Sequence, residues 1–246
     1  MRKTIYVKNL KARFHASYGN EKTGGKKQGM MAIGYYPGRG YLMYKNGSLV
    51  SDILGSCGCV DCSNCEKKCY AISMIKRYEK ACIARIENTM QLREDMTAHF
   101  KAIYDTIIKD KIKIVRYTDS GEIENYLQFV KLVNLALSLP STNFYLYTKN
   151  YAVLREFFGE DKELPKNMVV LISVWGNLGK SEFREFEKHR NIKAFAVNSD
   201  IQCNAVCPAY RNVNGKVKLD KRMTCAECGF CWGKYPKIKV IKCLEH

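Results

Sequence analysis

The sequence has 246 residues, of which 46% are apolar and 26% charged, so the chain can bury one sizeable core, or one core with a small added module. It contains no run of the roughly 18–20 consecutive apolar residues that a membrane helix needs, and no apolar signal segment follows the first residues. We therefore expect a folded, soluble and cytoplasmic protein.

The net charge of +17 is concentrated at the two ends of the chain. Residues 1–50 hold ten bases and one acid (+9) and residues 201–246 hold nine bases and three acids (+6), which leaves +2 for the residues between them. Such a distribution favours a polyanionic partner, most often nucleic acid, although a basic solvated surface without a partner is the alternative. The candidate contacts in the first segment, which tyrosines interleave, are Lys8, Lys11, Arg13, Lys26, Lys27 and Arg39.

The elements can be predicted in chain order. Residues 1–56 are basic and rich in Gly and Tyr, which predicts a lead-in of β-structure and loops, with a strand at 41–44. Residues 71–109 lack Gly and Pro and carry apolar side chains at helical spacing, which predicts one long helix or two helices broken near Asp95. Strands at 113–118, 143–148, 168–174 and 194–197 then alternate with helices at 124–139, 151–158 and 181–190.

This alternation predicts an α/β fold, in which βαβ units build a partial (β/α) barrel or an open parallel sheet. Residues 57–200 would form the core and residues 201–243 a small Cys-rich C-terminal module. Residues 244–246 resemble the start of a purification tag and are expected to have no function.

Polar residues follow the predicted strands at the ends where ligands bind in parallel α/β proteins. Turn formation and helix capping are the ordinary alternative for each of them. Four such stretches in register favour a site, with Ser120 and Glu122 as the candidate catalytic residues. The candidate cofactor-binding residues are Ser120, Gly121, Glu122, Thr148, Asn150, Ser173 and Asn198.

Twelve cysteines in a chain without an export signal indicate metal or cluster binding, because a reducing compartment argues against disulfides. The first group has the C-x2-C-x2-C-x3-C spacing of ferredoxin cysteines, at Cys59, Cys62, Cys65 and Cys69. In the second group, Cys225, Cys228 and Cys231 can bind three irons of a cubane, with Cys203 or Cys207 binding the fourth. We expect one or two 4Fe-4S clusters, with zinc as the alternative.

Two resemblances add to this interpretation. Residues 69–71, 116–122 and 144–149, together with the terminal Cys-rich block, resemble a phage family known as gene product eighty-eight, over about residues 55–235. That resemblance implies the cytoplasm of a bacterial host and no particular activity.

The chain also resembles the radical S-adenosylmethionine (SAM) superfamily. Ser120-Gly121-Glu122 is similar to the Gly-Gly-Glu-like motif of these enzymes, and Thr148, Asn150 and Ser173 lie where members carry polar contacts. The resemblance implies a partial barrel, SAM bound to an open iron of a cluster held by Cys62, Cys65 and Cys69, and Glu122 on the methionine amine. The usual C-x3-C-x2-C triplet is absent.

Three hypotheses of function follow. The first is an iron–sulfur enzyme of radical SAM type that modifies a nucleic acid or nucleotide. The second is a non-catalytic nucleic-acid-binding protein in which the clusters, or zinc, stabilise the fold. The third is an accessory factor that binds a host protein.

Overall fold

A computed structural model of the protein describes residues 3–5, 10–18, 23–38, 41–45, 48–53, 55, 69–214, 216–220 and 222–244. The described strands are β1 (Lys3–Ile5), β2 (Met30–Ala32), β3 (Tyr41–Lys45), β4 (Ser48–Ile53), β5 (Ile114–Tyr117), β6 (Asn143–Thr148), β7 (Met168–Trp175), β8 (Ile192–Val197), β9 (Ala205–Val206), β10 (Tyr210–Val213), β11 (Lys216–Leu219) and β12 (Val240–Cys243). The described α-helices are α1 (Tyr70–Arg77), α2 (Glu79–Glu94), α3 (Met96–Asp110), α4 (Tyr126–Ser138), α5 (Tyr151–Gly159), α6 (Lys180–Phe186) and α7 (Cys225–Cys228).

The main sheet has seven strands in the order β2-β5-β6-β7-β8-β12-β9, and all its neighbouring strands are parallel. The first six follow one another across the sheet in chain order. Because βαβ crossovers are right-handed, the one-way order from β2 to β8 sends the crossover helices between these strands to the same face of the sheet, and only the step from β9 back to β12 reverses the order. The predicted α/β fold with a parallel sheet is confirmed.

Burial of the strand side chains shows which face the helices cover. Val115, Leu146 and Ile172 point to one side, where they pack with apolar residues of α2 to α6 in the main core. Tyr145 and Leu171 point to the opposite side, which we call the inner face. Both faces of the central strands are therefore buried, as their nearly continuous apolar sequences require.

The inner face is covered by residues 207–238, which we call the C-terminal cap. Its Cys207, Phe230 and Trp232 pack against inner-face residues of β6, β7 and β12. The cap also contains the antiparallel hairpin of β10 and β11, and β1, β3 and β4 form a separate three-stranded sheet. Since β2 comes from the predicted lead-in and β9 and β12 from the predicted C-terminal module, the main sheet joins all three predicted segments.

The predicted helices at 124–139 and 181–190 are shorter in the structure, the predicted strand at 194–197 begins at Ile192, and two larger differences follow. The predicted helix at 71–109 is three helices, with one break at Asp95, as expected, and another at Tyr78, whose backbone is extended. The Asp95 side chain accepts a hydrogen bond from the Ala98 amide at 2.8 Å, which caps α3. The other concerns the strands after β8: the sequence did not predict β9 to β12, and β12 lies between β8 and β9 in the main sheet.

Residues 10–18 are attached to α2 through buried polar groups. The Glu87 carboxylate, 1% exposed, accepts hydrogen bonds from the Lys11 amide at 3.0 Å, Arg13 Nε at 2.8 Å and His15 Nε2 at 2.5 Å. Asn88 accepts from the His15 amide at 2.7 Å.

Among the described helices, none has both the length and the apolarity to cross a membrane.

Candidate functional site

Polar side chains converge at the carboxyl ends of β5 and β6, in a group that we call the edge network: Arg85, Arg116, Asp119, Ser120, Glu122 and Thr148. The chain leaves β5 at Thr118, whose φ of 54° is unusual for a β-branched residue. The Thr118 hydroxyl donates to the Tyr147 carbonyl at 3.1 Å, which fixes this turn beside β6. The turn brings the following residues under α2.

Arg85 of α2 connects the helix to this turn. Its Nη2 lies 2.8 Å from Asp119 Oδ2, and its Nε donates to Ser120 Oγ. Ser120 Oγ in turn donates to the Tyr35 carbonyl at 2.8 Å. A side chain at Gly34 would place its Cβ 2.7 Å from Ser120 Oγ, so this close approach requires glycine. The side chain of the predicted catalytic Ser120 is thus buried and hydrogen-bonded to both Arg85 and the Tyr35 carbonyl.

Glu122 joins the loops that follow β5 and β6. Its Oε1 accepts from Thr148 Oγ1 at 2.7 Å and from the Ile123 amide at 2.9 Å, and its Oε2 accepts from the Lys149 amide at 2.8 Å. Burial raises the pKa of the Glu122 carboxyl above its usual value, although these hydrogen bonds oppose that shift. Asn150 strengthens the junction by donating from Nδ2 to the Ile123 carbonyl at 2.9 Å.

The remaining predicted cofactor-binding residues lie along the same edge. Gly121 has a φ of 77°, which allows the turn between Ser120 and Glu122. Ser173 lies near the end of β7 in register with Phe195 of β8, and its carbonyl accepts from the Tyr151 hydroxyl at 3.2 Å. Asn198 follows β8 with a left-handed backbone and an exposed side chain.

Four cysteines of the second group meet on the inner face: Cys207, Cys225, Cys228 and Cys231. They line one cavity, which we call the cysteine cavity, together with Tyr147, Phe195, Pro208, Ala209, Met223, Thr224, Phe230 and Ile241. The short helix α7 places Cys225 and Cys228 one turn apart. It begins with a capping box of Thr224 and Glu227 and ends at Gly229, whose φ is 75°.

Burial governs the chemistry of these thiols. It raises the pKa of Cys231 to about 12 and that of Cys228 above its usual value, and the neighbouring cavity cysteines raise both further. Cys228 and Cys231 are therefore protonated at neutral pH, and a bound metal would have to displace their protons. Among the described residues, no three His, Cys, Asp or Glu side chains are arranged to hold a single metal ion.

The other described cysteines lie apart from this cavity. Cys203 is exposed, and Cys82 is buried in a small apolar cluster with Ile75 and Ile86, as expected of a structural cysteine. Of the first cysteine group, Cys69 precedes α1. The predicted ligands Cys59, Cys62 and Cys65 lie outside the described residues.

Two inner-face side chains support the cysteine cavity. The Tyr147 hydroxyl donates to Cys231 Sγ at 3.1 Å. Lys193, only 2% exposed, donates from Nζ to the Phe230 carbonyl at 2.7 Å and the Tyr235 carbonyl at 2.9 Å. Burial lowers the pKa of Lys193 to about 8, and Cys231 opposes that shift. Both side chains hold the turn that carries Cys231.

The predicted nucleic-acid contacts differ in their surroundings. Arg13 pairs with Glu87, and Lys26 Nζ lies 2.8 Å from Asp110 Oδ1, so both cations bind acids of the protein. Lys11 and Lys27 are exposed, and Lys8 and Arg39 lie outside the described residues.

Sequence reasoning did not identify Arg85, Arg116, Tyr147 or Lys193. A signal was present for two of them, because Tyr147 follows Tyr145 at strand spacing and Lys193 is a lone charge in an apolar strand. Arg85 gave no such signal, since it lies in a helix and pairs with Asp119, 34 residues away.

The fold and these sites define an α/β protein with one parallel sheet, a polar carboxyl edge and a Cys-rich cap on the inner face. The chain belongs to the Gene product 88 family, whose model matches residues 10–234. This confirms the resemblance to that family. No curated protein and no solved structure matches the chain.

Proposed function

We propose that this is an iron–sulfur protein that holds a 4Fe-4S cluster in the cysteine cavity through Cys207, Cys225, Cys228 and Cys231. The observation that carries the proposal is the convergence of these four thiols on one cavity. A single zinc ion needs its sulfurs at about 2.3 Å from one point. A cubane instead binds one thiolate at each of its four irons, so four cysteines on one cavity are the set that it requires.

The surroundings of the cavity favour a buried, negatively charged group. Phe195, Phe230 and Ile241 line the cavity with apolar side chains, and the Lys193 ammonium lies beside the turn of Cys231. A buried cation of this kind offsets the negative charge of four thiolates around a cluster. The chemistry that such a cluster supplies when bound is the transfer of single electrons.

Anaerobic reconstitution with ferrous iron and sulfide tests this proposal. We expect absorption near about 400 nm and about four irons fewer in Cys231→Ala than in the unaltered protein, because one cubane is lost. Cys203→Ala is the matched control, since Cys203 is exposed and does not line the cavity. Equal iron in the two variants, or zinc in place of iron, would contradict the assignment.

We further propose that the protein binds nucleic acid, because the two basic ends of the chain meet beside the cap. The Ala226 amide donates to the Thr23 carbonyl at 3.3 Å, and the Thr224 hydroxyl donates to Gln28 Oε1 at 2.6 Å. The exposed Lys27 therefore lies on a segment that adjoins the cap, which is also basic. Clustered cations of this kind bind phosphates by releasing counterions.

Fluorescence anisotropy with single-stranded and duplex oligonucleotides, at several salt concentrations, tests nucleic-acid binding. We expect Lys27→Ala to reduce the salt slope by about 1 if one phosphate contact is lost. Lys101→Ala on α3 is the control, because that lysine pairs with Asp105 on the helical side. No binding, or binding without salt dependence, would contradict the proposal. Capture of a host protein that survives nuclease treatment would favour the accessory-factor alternative.

A second candidate function, SAM-dependent chemistry, is supported by the order of the sheet. The first cysteine group lies between β2 and β5, the first two strands of the parallel series, which is where the superfamily carries its cluster cysteines. Its last member, Cys69, precedes α1, and Met74 of that helix lies 3.8 Å from Arg85 Nη2. The first cysteine group therefore ends close to the edge network.

In this candidate function, SAM would bind at the edge network and supply one-electron radical chemistry to a nucleic acid or nucleotide. Glu122 would hold the methionine amine, while Thr148 and the Lys149 amide orient its carboxylate. Equilibrium dialysis of SAM against the reconstituted protein tests this directly. We expect Glu122→Gln to weaken SAM binding and the surface variant Arg155→Met to leave it unchanged. No binding of SAM to the unaltered protein would refute the candidate.

A further inference from the structure

We propose that the Tyr147 hydroxyl sets the reduction potential of the cluster in the cysteine cavity by donating a hydrogen bond to its ligand Cys231. This inference rests on the proposed iron–sulfur function. It goes further by making the cluster a redox group matched to its site, rather than a staple of the cap. Tyr147 would act as a positioning residue, since it bonds to a ligand sulfur and not to a reacting atom.

The geometry supplies a donor and an acceptor. The Tyr147 hydroxyl oxygen lies 3.1 Å from Cys231 Sγ. A tyrosine hydroxyl carries one proton that it can donate, and the geometry directs it at this sulfur. A ligating cysteine is a thiolate, which can only accept, so binding of the cluster strengthens this hydrogen bond.

Both partners are held in place. The Tyr147 ring packs edge to face against Phe195, with ring centroids 5.1 Å apart, and the Arg116 guanidinium lies over the ring, 5.1 Å from its centroid. On the other partner, Lys193 binds the carbonyl of Phe230, which directly precedes Cys231. A hydrogen bond between two fixed groups persists in both redox states of the cluster.

The direction of the effect follows from charge. In the one-electron couple the cluster gains one electron, no bond to it breaks and no proton moves. A donor on a ligand sulfur stabilises the more negative, reduced state more than the oxidised state, which raises the potential. Removal of the hydroxyl must therefore make reduction less favourable.

Tyr147 also connects the cysteine cavity to the edge network. Its carbonyl accepts from Thr118, and the Arg116 guanidinium over its ring lies 3.3 Å from Asp119 Oδ1. The next residue, Thr148, donates to Glu122. Two consecutive residues of β6, Tyr147 and Thr148, thus contact both sites, so a cluster in the cavity would lie next to the edge network.

Redox titration of the reconstituted full chain with dithionite, followed by electron paramagnetic resonance, tests the inference. We expect Tyr147→Phe to retain its iron. Its reduction potential should be lower than that of the unaltered protein by up to about 59 mV, which corresponds to a tenfold change in the equilibrium constant of a one-electron couple. Tyr145→Phe is the matched control. It removes a hydroxyl from the same strand and face, and among the described residues that hydroxyl has no hydrogen bond to a cysteine.

The outcomes separate this inference from the proposed function. If the cavity binds iron but Tyr147→Phe and the unaltered protein have equal reduction potentials, the inference alone is overturned. If Cys231→Ala retains all of its iron, both the cluster site and the inference are overturned. If Tyr147→Phe fails to fold, electron–nuclear double resonance on the unaltered reduced protein decides. A strongly coupled proton that exchanges in D2O supports the hydrogen bond, and its absence overturns it.

Discussion

Replacing Arg85 by Met tests whether α2 holds the edge network in place. Arg85 and Asp119 form an ion pair in which both side chains are about nine-tenths buried. Removing one partner of a buried pair costs about 3–5 kcal/mol, because it leaves the other charge uncompensated. We expect the lower end, about 3 kcal/mol, since Arg116 Nη1 still lies 3.3 Å from Asp119 Oδ1.

Thermal unfolding measures this loss. For a chain of this size, a loss of about 3 kcal/mol lowers the melting temperature by about 6–12 °C. The control is Arg155→Met, which removes a half-exposed pair with Glu185 and should cost less than about 1 kcal/mol.

A double variant separates charge from packing. Asp119→Asn removes the charge that Arg85→Met leaves without its closest cation, so we expect the double variant to be more stable than the sum of the single losses by about 1–3 kcal/mol. The edge network is not held by this pair if Arg85→Met has the same melting temperature as Arg155→Met. The same follows if the stability losses of Arg85→Met and Asp119→Asn simply add in the double variant.

Three further predictions concern the supports of the fold and the sites. Burial alone would raise the pKa of Glu87, but its hydrogen bonds from Arg13, the Lys11 amide and His15 outweigh burial and lower the pKa, so the stability that Glu87 contributes is present above the usual glutamate pKa and is lost as the pH falls through the lowered pKa. In urea unfolding, Glu87→Gln should therefore be about 2 kcal/mol less stable than the unaltered protein at neutral pH, and this difference in stability should narrow in acid. A difference that stays constant with pH would contradict this prediction. Lys193→Met leaves two carbonyls of the cap without their donor, so hydrogen exchange should become faster across residues 229–235 and not in α4, whereas unchanged exchange would show that Lys193 does not hold the cap. Thr118→Val keeps the strained backbone but loses the hydrogen bond to β6, which should cost about 1–2 kcal/mol in chemical denaturation, and an unchanged midpoint would contradict the anchoring of this turn.

The central strands could be predicted from the sequence because their apolar runs are long and bounded by turn residues. The prediction of 143–148 coincides with β6, and that of 168–174 with all but the last residue of β7. β12 was missed because four residues in a basic, Cys-rich segment give too short a pattern. Its pairing with β8 and β9 is set by the sheet and not by local preference.

The candidate sites likewise contain contacts that strand order predicts and contacts that depend on tertiary packing. The approach of Glu122 to Thr148 follows from strand alternation alone, because the carboxyl ends of neighbouring parallel strands adjoin. The sequence left Cys203 and Cys207 as alternatives, and only the packing of the cap on the inner face brings Cys207 to the cavity. The pairing of Lys193 with the cap likewise spans 37 residues and depends on tertiary structure.

The most direct test of the cluster site is metal K-edge X-ray absorption on the anaerobically reconstituted protein and its Cys231→Ala variant. We expect an iron edge with sulfur neighbours and iron–iron scattering, and a marked loss of that iron in Cys231→Ala but not in Cys203→Ala. A zinc edge with one shell of sulfurs at about 2.3 Å, and no iron bound, would contradict the proposed cluster.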